Sequence, residues 1–224
     1  VLNVITGEAS EIGAAMINHP KLRKLTFTGS TAVGKKLASA ATAQMKRVSM
    51  ELGGNAPFII FDDADLDAAV EGAMISKFRN TGQTCVCANR LLVQDGVYDT
   101  FAAKLVAAVG KLKVGDGFAD GVTQGPLINR AAVDKVRAHI ADARARGGRV
   151  LLGGEPHALG GLFFQPTVIS EVPADALLMR EETFGPLAPL IRFHDEAEAI
   201  RLANATAYGL ASYFYSRDLG RVFR

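Results

Sequence analysis

Cysteine is scarce in this sequence: the chain holds only Cys85 and Cys87, one residue apart. Two thiols at that spacing exclude a disulfide framework and do not match the pairs that hold structural zinc, so no metal is expected. Such usage suits a reducing cytoplasm and leaves a reactive thiol as the reading to test. Histidine is scarce too. His19, His139, His157 and His194 sit in no glycine-framed or otherwise site-like context, so a cysteine–histidine hydrolase lacks support. No apolar run approaches the roughly 20 residues that cross a bilayer, which argues against a membrane helix. The formal net charge is only +2, and the densest basic run (Lys21, Arg23, Lys24) is short and flanked by apolar residues. It reads as a solvated face, and nucleic acid is not an expected partner. The first ten residues carry neither a basic leader nor an initiating methionine, and the last six stop inside a helical pattern. The sequence reads as a segment of a longer chain.

What is present is an ordinary globular composition, 49% hydrophobic and 21% charged, enough for one large domain or two smaller ones. Strand-like and helix-like segments alternate, which predicts an α/β class with mostly parallel strands. An apolar run at 25–27 leads through Thr28-Gly29-Ser30-Thr31 into a predicted helix over 32–43. Strands are expected at 48–52 and 58–61, with Gly53-Gly54 between them as the candidate domain boundary. Asp62, Asp63 and Asp65 supply cap and first-turn carboxylates for a helix whose apolar residues recur at helical spacing. Further helices are expected at 98–109, 130–146 and 197–204. Further strands are expected at 90–94, 150–152, 167–169, 188–193 and 211–215.

Three local features bear on chemistry. Cys85 follows a Gly-Gln-Thr turn, a setting that exposes a side chain and aims backbone N–H groups at an oxyanion. A lone cysteine in an apolar segment is also commonly a small buried hydrophobe. Glu51 ends an apolar strand just before Leu52-Gly53-Gly54. It reads either as a partly desolvated base with glycine freedom beside it or as a solvent-facing strand end. In Phe27-Thr28-Gly29-Ser30-Thr31-Ala32-Val33-Gly34-Lys35, a strand turns through Gly29 into a helix whose free N–H groups suit a phosphate. The usual dinucleotide glycine spacing is absent, so this feature alone gives moderate support for nucleotide binding.

Together these features resemble the aldehyde dehydrogenase superfamily. The matching phrases run from Phe27 to Gly34, Glu51 to Pro57, Gly82 to Cys85, Glu181 to Pro186 and Asn204 to Leu210, in the family's order and at its approximate spacing. The resemblance implies a parallel-sheet, Rossmann-like fold that is incomplete at both ends. Residues 1–53 would be the C-terminal part of the cofactor-binding domain, and 54–224 a catalytic domain cut short at its C-terminal end. It implies that Cys85 attacks the aldehyde carbon and that Glu51 activates the water that hydrolyses the resulting thioester. Gly29 and Ser30 would lie beside the pyrophosphate of NAD or NADP, Gly34 would permit close helix packing, and Leu52 would adjoin the nicotinamide. Glu182 would bond the nicotinamide ribose, with the Phe184 ring beside it unless Phe184 is plain core. A longer phrase, Lys77 to Arg90, looks like succinate-semialdehyde dehydrogenase. It implies that Arg79 holds the distal carboxylate of a small aldehyde substrate, the other reading being a surface ion pair. Glutarate-semialdehyde enzymes share much of this pattern. Cys87 is implied as a redox partner of Cys85, or else a small core residue. The full-length parent is expected to be a homodimer or homotetramer. Two other classes remain open: a non-enzymatic nucleotide binder, and an acylating enzyme using coenzyme A, against which Glu51 argues.

Overall fold

The computed structural model of the protein describes residues 2–224. The chain divides into two compact units, Val1–Gly53 and Gly54–Arg224.

The smaller unit is a strand–helix–strand repeat preceded by a helix. Helix α1 (Ala9–Asn18) leads to β1 (Lys24–Thr28), α2 (Thr31–Thr42) and β2 (Arg47–Glu51). The two strands pair in parallel from Lys24↔Arg47 to Thr28↔Glu51, so the crossover helix must return the chain to the same edge. Ile17, Leu25 and Ala41 form its buried core, with Leu37, Val48 and Met50 packed against them. Helix α1 was not expected from the sequence; Ile17 is its one buried side chain. Strand β2 stops at Glu51, which leaves Leu52 beyond the ladder.

The larger unit is a six-stranded sheet with helices on both faces. Its elements are β3 (Ala56–Ile60), α3 (Leu66–Phe78), β4 (Ala88–Gln94), α4 (Tyr98–Val109), α5 (Arg130–Ala145), β5 (Arg149–Leu152), β6 (Thr167–Ser170), α6 (Leu177–Arg180), β7 (Leu187–Phe193), α7 (Glu196–Asn204), β8 (Tyr213–Tyr215) and α8 (Leu219–Phe223). The strand order is β5-β6-β7-β4-β3-β8, and every pairing is parallel except β5 with β6. Central strand β4 is buried along nearly its whole length, as expected for a sheet covered on both sides. Its pleat sorts the core. Leu91 and Val93 face α3 and α4 with Phe58, Ile60, Phe101 and Leu105, while Leu92 faces α5 and α7 with Val136, Ile140, Ile191 and Leu202.

The acidic run before α3 divides its labour in a way that spacing did not disclose. Asp65 alone is the cap, accepting from the N–H groups of Asp67 and Ala68 at 3.1 Å each. Asp63 instead accepts from Ser216 Oγ, Arg217 N and Asp218 N, and pairs with Arg221 at 3.0 Å. These contacts hold its carboxyl below the usual range against the opposing effect of burial. The helix Leu177–Arg180 is a second element that the sequence did not announce; at four residues it is too short to show a period.

Candidate active site

In the smaller unit the strand ends bring residues 29–34 beside the end of β2. Gly29 N–H donates to the Glu51 carbonyl at 3.0 Å, closing the end of the β1–β2 ladder. Ser30 caps α2, its Oγ accepting from Val33 N–H at 3.4 Å. Gly34 lies on the first turns of α2, where a Cβ would come within 2.3 Å of Leu52 Cδ2. Glycine there lets Leu52 cross the helix start. The Thr31 side-chain oxygen is buried without a hydrogen-bond partner. The Glu51 side chain is exposed, which corrects the expectation of a partly desolvated carboxylate: β2 delivers it to solvent, the other reading of a strand end.

In the larger unit the approach to Cys85 is strained. Asn80, Thr81 and Gly82 follow one another in the left-handed region, with φ of 50°, 57° and 74°. That conformation is costly for a β-branched threonine and persists only where neighbours enforce it. Here they do. Thr81 Oγ1 donates to Gly125 O at 3.2 Å and Asn80 Nδ2 to Gln83 O at 3.0 Å. Gln83 clamps the 126–128 loop, donating to Pro126 O at 3.2 Å and accepting from Ile128 N–H at 2.8 Å. Gly82 presses on the backbone of Gly185, where a Cβ would come within 2.1 Å of the carbonyl oxygen. Sequence reading singled out Gln83 only as a letter in a motif; its clamp joins loops that no local pattern connects.

Cys85 itself is half-buried and free. Residues 84–87 form a turn, with Cys87 N–H donating to Thr84 O at 3.0 Å, and run into β4. Gly54 packs against the cysteine's backbone so closely that a Cβ would stand 2.3 Å from Cys85 O. The same glycine donates its N–H to Glu182 Oε1 at 3.0 Å. Cys85, Gly54 and Glu182 are thus brought together. Burial pushes the Glu182 carboxyl above its usual range, opposed by that hydrogen bond and by the charges of Lys135 and Lys77. Gly54→Ala is expected to cost about 1–3 kcal/mol, because the opposing atom is backbone and cannot rotate away. Chemical denaturation of parent and variant measures it, and equal midpoints would refute the close packing.

Phe184 is 37% exposed with φ of 53°, so it is not core filling. Arg79 is exposed, forms no ion pair among the described residues, and lines a cavity of about 310 Å³ together with Ser76, Thr84, Val86, Cys87 and Tyr213. The surface-ion-pair reading does not describe it. Cys87 is 1% exposed, its Sγ lying 3.8 Å from Lys77 O. The Arg90 guanidinium is buried and donates to the carbonyls of Asn55, Leu202 and Ala203 at 3.0, 2.7 and 2.9 Å, tying β4 to the last turn of α7. Burial lowers its pKa to about 10, which leaves it charged near neutrality.

The protein-family model described as the aldehyde dehydrogenase family matches residues 1–224. The chain belongs to the aldehyde dehydrogenase family. Among curated members of that family, glutarate-semialdehyde dehydrogenase of Pseudomonas aeruginosa is 63% identical over the whole chain, and the NADP-linked succinate-semialdehyde dehydrogenase GabD of Escherichia coli is 62% identical. This aldehyde dehydrogenase chain spans about 46% of the length of each. A crystal structure of an Escherichia coli NADP-dependent enzyme superposes with a TM-score of 0.98 at 62% identity, covering 99% of this chain and 46% of that one. No helix among the described residues is long and apolar enough to cross a membrane.

Proposed function

We propose that the protein oxidises a short semialdehyde, succinate semialdehyde in the first instance, to the dicarboxylate with NAD or NADP. The observation that carries the substrate assignment is the unpaired Arg79 guanidinium, six residues ahead of Cys85 and on the cavity that Thr84 and Cys87 share. A guanidinium presents a planar fork of donors that matches a carboxylate, and one left without a partner in the protein has its donors free for a ligand. The 63% identity to a glutarate-semialdehyde dehydrogenase supports the next longer acid as the second reading.

The Cys85 thiolate adds to the aldehyde carbon, forming a C–S bond and an oxyanion. The Cys85 backbone N–H makes no hydrogen bond within its unit and is free to receive that oxyanion. NAD(P)⁺, when bound, accepts the hydride that leaves this carbon. Cys85 is left as a thioester. Glu51 takes a proton from the attacking water, the carboxylate departs, and the thiolate is restored. Water rather than coenzyme A is the acceptor in this reading, because Glu51 supplies a base that the weakly nucleophilic water needs more than a thiol does. The residues at the start of α2 fit a nucleotide phosphate: Ser30 caps the helix, Gly34 leaves it uncrowded, and the Thr31 hydroxyl is unsatisfied. Gly29 and Ser30 would adjoin the pyrophosphate and Leu52 the nicotinamide, with Glu182 and Phe184 toward its ribose.

The test compares succinate semialdehyde with a neutral aldehyde of similar length, using the full-length protein and its Arg79→Ala variant. A charge-assisted hydrogen bond is worth about 1.5–3 kcal/mol, so kcat/KM should fall by about one to two decades for the acid substrate alone. Equal treatment of both aldehydes by parent and variant would leave Arg79 a surface residue and remove the semialdehyde assignment.

A further inference from the structure

Two cationic side chains of the larger unit are fully out of water, and only one is well satisfied. Arg90 has three carbonyl partners. Lys77, also at 0% exposure, has one hydrogen bond, from Nζ to Asn89 Oδ1 at 3.3 Å, for three ammonium protons. A buried charge so poorly compensated is costly for a helix whose other inward positions are Ala69, Val70, Ala73 and Phe78.

What distinguishes the position is where its one contact leads. Asn89 Nδ2 donates to Gly54 O at 3.4 Å. Gly54 N–H donates to Glu182 Oε1, and the Gly54 α-carbon presses on Cys85 O. A chain of direct contacts therefore runs from the buried ammonium to the two groups assigned to the reacting carbon and the cofactor. We propose that Lys77 is a positioning residue: through Asn89 and Gly54 it holds the Cys85 backbone and the Glu182 carboxylate in place for a nicotinamide nucleotide. This rests on the aldehyde dehydrogenase reading above.

The charged groups around it are few. Cys87 lies beside the carbonyl of Lys77, Glu182 faces it from the segment before β7, and Lys135 of α5 acts on Glu182 from the other side. Burial lowers the Lys77 pKa to about 8, with Cys87 and Glu182 opposing that shift. The ammonium is therefore present below that pH and lost above it. Without the proton the Nζ–Asn89 contact loses its charge assistance, so the Gly54 peptide that carries Glu182 should be held less firmly and the cofactor bound less well.

The experiment measures the Kd of NAD(P)⁺ for the full-length protein from about pH 7 to pH 10, in parent, Lys77→Met and Lys77→Gln. Thermal midpoints of the cofactor-free proteins are recorded beside it. In the parent, Kd should rise severalfold as pH passes about 8. Lys77→Met should bind about tenfold more weakly at neutral pH, the loss of one good polar interaction, with a flat profile. Lys77→Gln keeps a donor for Asn89 without the charge; it should fall between the two at neutral pH and lack the alkaline limb. Unchanged Kd and an unchanged pH profile in both variants, whatever their thermal midpoints, would overturn the proposal and make Lys77 a buried structural residue. Failure of both variants to fold would also count against it, since a positioning role leaves the core intact. Aldehyde oxidation is assayed separately: a parent that binds NAD(P)⁺ without oxidising any semialdehyde sinks the functional reading while the Lys77 comparison still decides.

Discussion

Cys85→Ala should lose aldehyde oxidation to background, a fall of about 10⁴-fold or more in kcat, with cofactor binding retained. The magnitude follows from the role. Without the sulfur no covalent adduct forms, and the other thiol of the turn at 84–87, Cys87, is buried. The fold should tolerate the change, because Cys85 is only half-buried and its backbone is fixed by Gly54 and the Gln83 clamp. Cys87→Ala is the informative contrast. Its thiol is buried and makes only a weak contact with Lys77 O, so activity should stay within a few-fold of parent. The pair also tests the redox idea. Joining Cys85 to Cys87 requires the buried thiol to leave its site beside Lys77. If Cys87→Ala loses and regains activity under peroxide as the parent does, Cys87 takes no part in a switch. Comparable turnover by Cys85→Ala would remove the mechanism altogether.

Glu51→Gln should slow steady-state turnover by about 10²–10⁴-fold, the range for loss of a general base. The form of the defect matters more than its size. Adduct formation and hydride transfer do not use the Glu51 carboxylate, so one equivalent of NAD(P)H per site should still appear in a fast burst. Hydrolysis should then stall, leaving an acyl group on Cys85 that mass spectrometry of the intact protein detects. A burst that disappears with the steady-state rate would assign Glu51 to an earlier step. Its exposure at the end of β2 is compatible with the role, since a base for water must reach water. Gln keeps the volume and the strand register, which separates the loss of the base from a loss of fold.

Much of the fold was legible because its signals are local. Asp65 at the α3 cap, the apolar spacing of Leu66, Ala69, Val70 and Ala73, and the run of Leu91, Leu92 and Val93 each declare their element within a few residues. The helix Tyr98–Val109 falls where its pattern predicts. The elements that escaped, Ala9–Asn18 and Leu177–Arg180, are alanine-rich or too short to display a period. The phrase from Lys77 to Arg90 implied work for Arg79 and Cys85 but none for Lys77. Lys77 even sat on the inward stripe, four residues after Ala73, a spacing that marks it as buried; a lysine there was the available signal.

By itself the sequence determined the family, the order of most strands and helices, and the identity of Cys85, Glu51, Arg79 and Glu182 as residues to examine. The elements follow from periodicities read along the chain, and the family and those residues from the phrases that resemble it. Only the tertiary structure decided that Arg79 has no ion-pair partner among the described residues, that Cys87 is buried, and that Glu51 is exposed. It alone joined Lys77 to Glu182 through Asn89 and Gly54. Such facts depend on groups more than a hundred residues apart meeting across one sheet, Gly54 with Glu182 among them. A contact between distant segments is fixed by how the layers pack, which leaves no trace in the spacing of neighbours.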